Sequence, residues 1–576
     1  MNASRRNVTR VLAALLALGL VAAACSSGDD DDDGGAAEGP DIEGLVRASD
    51  QPEESPPDET PQRGGRVVFA REAETGSPWL PYSMVCDMAC HQTIRTVYEG
   101  LTIVDESGEI HPFLLESFEP NDDFTVWTLT ARERITFHDG TPFDGEAMQF
   151  NLQHMVDSPL VGGAFRDIES VELVDPMTVE VTVGRSWSNF PIFLAGQPGY
   201  QASPTWVRAV EAGQASETEP VGTGPFRFVE FNPDSNFIVE ANPDYWLEAP
   251  DGEPYPYLDE IEFVVQSEDQ TRTSAMLSGE IDLMHMDSGD SIAQLRDAVE
   301  AGDIQMFELD ERQNLGYVLI NQAADAPVAD VRIRRAMAMA MNQELRNEAR
   351  NAGIFDIANG PFSPGSIGYL EDTGFPTFDL EGARELVEEY EAETGEEAVI
   401  RYKTVTDPFA LETAELYQQF WEEAGLTVEI DQIEQEEFIG EALRGSFEAF
   451  AWRNHGGFDP DTQEVWWHSD NAGEEGRLAL NFGRIRSDEL DEQLGIIRTS
   501  GDEEERRAAA EEVNRIFADQ VFNIWTDWVI WAIPHTNELH GVTTPIQLPD
   551  DGESWIHGTG SVGVINTQQL WVDAEG

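Results

Sequence analysis

The apolar positions of this chain change their spacing from region to region, and each spacing predicts a different element. Between residues 64 and 240 strand signals dominate. "GGRVVFARE" reads as an opening strand, and in "SVELVDPMTVEVTV" the residues Val171 and Leu173, then Val179, Val181 and Val183, alternate on either side of an Asp175-Pro176 turn, a hairpin pattern. A helix interrupts at "FDGEAMQFNLQHMVDS", where Asp144 can cap the first-turn amides while Met148, Leu152, Met155 and Val156 share one face. Further along, "EAVIRYKTV" is strand-like, Phe409 to Ala424 is helical with Leu416 and Phe420 on one face and Gly425 as its stop, and "LTVEIDQI" alternates again. A strand, helix, strand unit implies a parallel pair, so this half is an α/β lobe. Apolar residues every four positions, Ile333, Met337, Met341 and Leu345, predict one helix over 330–350, and 503–519 reads as another.

One apolar run has neither period. Val11 to Ala24, preceded by Arg5, Arg6 and Arg10, is too short to span a membrane as a stable helix and reads as an export signal over residues 1–24. Ala22, Ala23 and Ala24 then lead into Cys25, which resembles the lipobox of bacterial lipoproteins, whose cysteine becomes the lipidated first residue. That resemblance implies an extracytoplasmic protein held by lipid at the outer face of the cytoplasmic membrane, in the cell envelope or periplasmic space. Residues 25–63 contain five consecutive aspartates and almost no aromatics, so they are expected to form an acidic disordered tether. A flexible chain of that length spans about 30 to 40 Å.

Composition narrows the rest. The stretch from Gly64 to Gly576 is too long for one hydrophobic core and calls for two or three lobes. No second run of eighteen apolar residues occurs, so this body cannot itself be a permease. A net charge of -77, spread along the whole chain, argues against nucleic acid as a partner, because phosphate binding needs basic surface. The aspartate run at 29–33 followed by Gly34 lacks the closing glutamate of a D-x-[DN]-x-[DN]-G-x5-E calcium loop, Pro40 standing in its place, and adaptation to salt accounts for the acidity more simply. Lys403 is the only lysine and follows Tyr402, so there is no Gly-Lys-Ser/Thr phosphate loop, and any ATP-driven step belongs to other subunits. "GTGSVG" at 558–563 matches G-x-G-x-x-G but lacks room for a following βαβ unit, and reads as a turn. Neither H-E-x-x-H nor G-x-S-x-G occurs, so no enzyme, cofactor or metal is expected. Cys86 and Cys90, in "VCDMACHQT", are expected to be bridged in an exported chain, and their spacing is one residue too long for haem attachment beside His91.

The longest informative segment runs from 97 to 155. Its "YEGL", "LLESFE" and "ITFHDGTPFDGEAMQF", followed in order by "PVGTGPFRFVEF", "PYLDEIEFVV", "LSGEIDLM" and "VRIRRAMAMAMN", resemble family 5 of the extracellular solute-binding proteins, over about residues 64 to 535. The resemblance implies a two-lobed periplasmic-binding-protein-like α/β fold of type II, in the large class with an extra subdomain in the first lobe. The first lobe is then 64–313, a second α/β lobe 314–527 and a return to the first lobe 528–576, with crossings near 314–321 and 522–534. It also implies a monomer that captures a solute or peptide between the lobes and delivers it to an ABC permease and its ATPase subunits. His138 and Asp139 read as turn-shaping.

For the ligand site, "AFAWRNHGGFDPDTQEVWW" (449–467) resembles the family's ligand-lining Trp-x-Ala-Asp-Tyr-x-Asp-Pro. Trp452 and Asp459 fit; the aspartate that pairs with a peptide amine is replaced by the neighbourhood of Asn454, His455 and Gly456. Trp452, Trp466 and Trp467 offer flat apolar surfaces, and Arg453 can meet a carboxylate in bidentate fashion. Lys403 follows a second-lobe strand near the expected cleft, and Glu72, Thr75 and Trp79 follow the opening strand. Each of these residues also has a plain reading as core or loop packing. The leading function is peptide capture for import. The rivals are an oligosaccharide, glycoside or metal-chelate receptor, a sensory receptor that hands its closed form to a membrane kinase, and a secreted hydrolase using two of the many carboxylates.

Overall fold

The computed structural model describes residues 44–48, 60–74, 78–105, 108–158, 161–406, 408–454, 459–474, 476–548, 555–556 and 564–573. The signal segment, Cys25 and the turn at 558–563 lie outside them. No helix among the described residues is long and apolar enough to cross a membrane.

Two long strands carry the architecture. The outward strand, Gln305–Ile320, runs antiparallel to the return strand, Asn523–His535, from Gln305 opposite His535 to Leu319 opposite Asn523. All thirteen residues of the return strand are buried, which explains its dense run of Ile, Trp, Val and Ala. At the His535 end the sheet continues through Leu283–Met284, Arg66–Arg71, Glu260–Val265, Asn236–Ala241 and Phe226–Asn232, the first three mutually parallel. This is the first lobe. At the other end the outward strand pairs with Ala449–Asn454, followed by the parallel strands Val399–Val405 and Thr427–Ile433, which are joined by the helix Pro408–Glu423. This is the second lobe.

The ladder between the two long strands breaks where they pass from lobe to lobe. Leu309 faces Trp531 and Asn314 faces Val529, so residues 310–313 stand against Ile530 alone; a second shift falls between Gly316 and Tyr317. Bulges of this kind bend a strand pair and interrupt its ladder, so the passage between the lobes is made within two strands rather than by a loop.

A separate four-stranded antiparallel sheet, in the order Leu115–Pro120, Val126–Ala131, Thr178–Val183, Ile168–Asp175, carries the helix Gly145–Val156 on one face. Its core joins Trp127, Leu129, Val179 and Val181 to Met148 and Leu152. In its hairpin Val171 pairs with Val181 and Leu173 with Val179. Asp144 Oδ1 accepts the Ala147 amide at 3.0 Å and caps the helix. Just before it, Asp139 accepts from Thr141 and Ser203 while the His138 ring meets the Gly224 carbonyl at 2.9 Å, so both residues hold the turn. Cys86 and Cys90 are bridged around the start of the helix Met88–Ile94.

Two expectations need correction. The single helix over 330–350 is two, Val331–Ala340 and Gln343–Asn351, because Asn342 turns its side chain onto the Leu345 amide and caps the second one. Leu345, counted into the apolar stripe, is exposed. The expected disorder of 25–63 also does not hold where those residues are described. Leu45–Arg47 forms a strand parallel to Met306–Glu308 on the edge of the outward strand, and Arg63 is fastened to Asp251 and lies 5.0 Å from the Tyr257 ring centroid. A few apolar and cationic residues suffice to dock segments that average composition marks as unfolded.

Glu99, in the "YEGL" stretch, borders a cavity of about 30 Å³ with Tyr98, Arg95, Tyr245 and Asn566. Its carboxyl accepts the Tyr245 hydroxyl at 2.6 Å and the Trp246 indole N–H at 3.2 Å. Burial outweighs these donors and pushes it up to about 7. The contribution of the neutral acid is complete below pH 4.5, the ordinary value, and is lost as pH rises through about 7. Glu99→Gln removes this titration. Relative to the variant, the wild type is expected to lose up to about 3 kcal/mol between pH 4.5 and pH 8, read by denaturant unfolding at both pH values. A pH-independent difference contradicts it.

Candidate functional site

In open sheets with parallel strands, ligands sit in the crevice beyond the carboxyl ends of those strands. Here the ends of three neighbours, Arg66–Arg71, Glu260–Val265 and Leu283–Met284, are followed by Glu72, Gln266 and His285. This crest carries buried polar atoms without hydrogen-bond partners: all three Arg71 side-chain nitrogens, Glu72 Oε2, Gln266 Oε1 and both ring nitrogens of His285. On the two crossing strands, Asn314 and the indole nitrogens of Trp528 and Trp531 share this state. Buried polar groups are normally satisfied, so a concentration of unsatisfied ones marks a surface shaped for a partner.

The second lobe meets this crest through Arg453. The end of Ala449–Asn454, aligned with Gly316 of the outward strand, presents the Arg453 guanidinium to Asp287, three residues past the Leu283–Met284 strand. The guanidinium carbon also stands 5.9 Å from the Trp531 ring centroid. Packing opposes the Arg453 charge, but Asp287, with Asp527 and Glu72 behind it, more than offsets that and raises its pKa. At Glu72 burial acts to raise the pKa, and the His285 ring, 3.6 Å away, together with Arg272 overcomes it and holds the carboxyl at about 2.

A second meeting of the lobes is more deeply buried. Arg498, at the end of the helix Asp488–Thr499, donates to Asp461 Oδ1 at 2.8 Å and lies 3.0 Å from Glu464 Oε2 and 3.2 Å from Asp167 Oδ2 of the four-stranded sheet. The Trp187 indole N–H reaches Asp461 Oδ2 at 2.7 Å, its ring centroid 4.3 Å from the Arg498 guanidinium carbon. Arg185 and Arg166 close on Glu464 Oε1 at 2.7 and 2.8 Å. Burial raises Asp461, whereas at Asp167 the bond and charge of Arg185, with Arg498 and Arg166, overcome burial and lower it.

The candidates named from sequence divide. Glu72 and Arg453 stand at the crevice. Trp452 is half-buried, stacked on Phe438 at 5.2 Å between ring centroids and edge-on to Phe482 at the same distance; Trp466 leans on Phe482 from 5.3 Å. Trp467 and Trp79 are core residues, the first packed on Phe517 and the second on Phe231 and Phe237. Asp459 is paired with Arg506 and caps the Asp461 amide, and Lys403 is paired with Glu441, with Asp431 at 3.8 Å. Asn454 pairs through its backbone with Leu315, while its side chain, His455 and Thr75 lie outside the described residues. Sequence reading missed Arg71, His285, Asp287 and the Asp461–Arg498 cluster. "LMHMD" offered one usable signal: a short strand followed at once by chemistry-bearing residues.

A fold of two lobes joined by crossing strands, with a crest of unsatisfied polar groups in the crevice, defines a clamp for a small solute. The family model for bacterial extracellular solute-binding proteins, family 5, matches residues 109–476, and the chain belongs to that family. It is 26% identical over 447 residues to di/tripeptide-binding protein 2 of Pseudomonas aeruginosa (72% of this chain, 80% of the relative), and 24% identical over 440 residues to the dipeptide-binding protein of Escherichia coli K12 (72% and 79%). Among solved structures it superposes on an ABC transporter-associated periplasmic binding protein of Helicobacter pylori in complex with the peptide STSA, with a TM-score of 0.77 at 21% identity, covering 89% of this chain and 99% of that one. The agropinic acid-bound binding protein of A. tumefaciens R10 gives 0.74 at 19% identity, with 89% and 99% covered.

Proposed function

We propose that this protein is a lipid-anchored receptor that encloses a short peptide between its lobes and passes it, chemically unchanged, to the permease of an ABC importer. The observation that carries this reading is the crest of unpartnered buried groups at the first-lobe strand ends, facing Arg453 across the crevice. Peptide-binding relatives and peptide-bound structural neighbours support it. Glu72, Trp452 and Arg453 border the ligand space, with Trp466 further along the same second-lobe segment. Trp79, Trp467, Asp459 and Lys403 hold the framework around it. The protein works as a monomer and catalyses nothing.

Native mass spectrometry of the lipid-free protein tests the ligand class. A series of short-peptide masses released on unfolding is the expected result. A sugar or chelate mass selects another receptor class, and conversion of the added peptide into fragments makes the protein a hydrolase. For the anchor, Cys25→Ser is expected to move the protein from the membrane to the soluble fraction after cell breakage, because lipid is its sole hold there. Unaltered membrane recovery removes Cys25 from that role.

A further inference from the structure

Among the described residues, the arginines around the crevice donate hydrogen bonds, with one exception. Arg453 is paired with Asp287. Arg272 donates to Asp269 Oδ1 at 2.7 Å and to the main-chain oxygens of Gln266, Ser267 and His285. Arg346 holds Asp527 through both terminal nitrogens. Arg71 differs: its side chain is 0% exposed, yet Nε, Nη1 and Nη2 all lack a hydrogen-bond partner. The nearest carboxylate oxygen, Glu74 Oε2, stands 3.8 Å away and already accepts the Asp234 amide at 3.2 Å. Phe263, its ring centroid 5.9 Å from the guanidinium carbon, supplies an apolar support and no acceptor.

A guanidinium carries five N–H donors, and burying it without acceptors is among the costliest arrangements a fold can contain. The framework arginines of this chain avoid it. Arg334 uses its three nitrogens on the carbonyls of Val328, Ala329, Gln520 and Val521. Arg71 instead sits at the carboxyl end of a parallel strand, where the crevice opens, with its donors unused. Resting on the peptide reading above, we propose that Arg71 receives a carboxylate of the bound ligand, in the bidentate manner that suits guanidinium and carboxylate. Arg453, the arginine assigned to a ligand carboxylate from sequence, then serves as the contact from lobe to lobe.

The ligand carboxylate can come from the peptide C-terminus or from an acidic side chain, and three probes separate these: trialanine, trialanine amide, and the amide of Ala-Glu-Ala. Each is titrated calorimetrically into wild type and Arg71→Gln. Wild type is expected to bind trialanine or the Ala-Glu-Ala amide at least tenfold more tightly than trialanine amide, the preferred one identifying the source. Arg71→Gln is expected to bind all three within about twofold of one another. Its ligand-free melting temperature should be unchanged or higher, since an unsatisfied buried charge is gone; a framework arginine would lower it. Equal binding of the three by wild type, discrimination retained by Arg71→Gln, or a marked fall in the ligand-free melting temperature each overturns the assignment. The first of these leaves peptide capture standing. Wild type that binds none of the three overturns peptide capture, and this assignment with it.

Discussion

Arg498→Ala is expected to destabilise the protein by about 3 to 5 kcal/mol, the range for removing one partner of a buried ion pair. The arginine is the cation shared by Asp461, Glu464 and Asp167, and the first two are 0% and 2% exposed. Glu464 keeps Arg185 and Arg166, whereas Asp461 is left with the Trp187 indole N–H. The loss should shrink in acid, because burial already raises Asp461 and a proton relieves the uncompensated charge. Urea unfolding at pH 7 and pH 5 measures both effects. Asp167→Asn is the companion variant. It removes one of the legs that cross to the second lobe, beside those of Trp187, Arg185 and Arg166, and leaves Asp461–Arg498 in place, so it should cost about 1 kcal/mol or less while shifting the solution-scattering curve toward a more open particle. Arg498→Ala unfolding at the wild-type urea concentration would show the cluster to be inert.

How far the sequence discloses this arrangement depends on whether the information is local. The unit from Val399 to Ile433 was legible because its strands alternate, its helix keeps one face, and Gly425, at a φ of +95°, supplies the left-handed stop. The break at Asn342 was not, since a capping side chain had to be weighed against a clean apolar stripe. At the crevice, Glu72 could be named as a candidate from its place after a strand, and Arg453 from its place beside Trp452 in a contiguous segment. Arg71 adjoins Glu72 but reads as strand, and its lack of an acceptor is a fact about packing. His285 and Asp287 join Glu72 only because Leu283–Met284 pairs beside Phe69 and Ala70, a neighbour relation between segments some 200 residues apart that spacing cannot express. Trp79 and Trp467 show the opposite limit: an aromatic in a ligand wall and one in a core look alike until the layer beneath each is known.

Asp527→Ala should cost as much as Arg498→Ala, about 3 to 5 kcal/mol, through a separate ion pair. Asp527 belongs to the return strand at the second ladder break, and Arg346, 3% exposed, donates to its two oxygens at 2.8 and 2.5 Å while Asn351 adds a third bond at 2.9 Å. Arg346 reaches the Thr526 carbonyl as well, so it fastens the helix Gln343–Asn351 to the strand at this second break. Asp287→Asn makes the contrast. Its partner Arg453 keeps 44% of its side chain accessible, so the pair is screened by solvent and should contribute less than about 1 kcal/mol to stability. Because that pair joins the lobes, its loss is expected to appear as a few-fold fall in ligand affinity with unfolding unchanged, whereas Asp527→Ala should move unfolding first. The reverse pattern, with Asp287→Asn the less stable protein, would mean that the lobes depend on their contact across the crevice and that the crossing strands hold little by themselves.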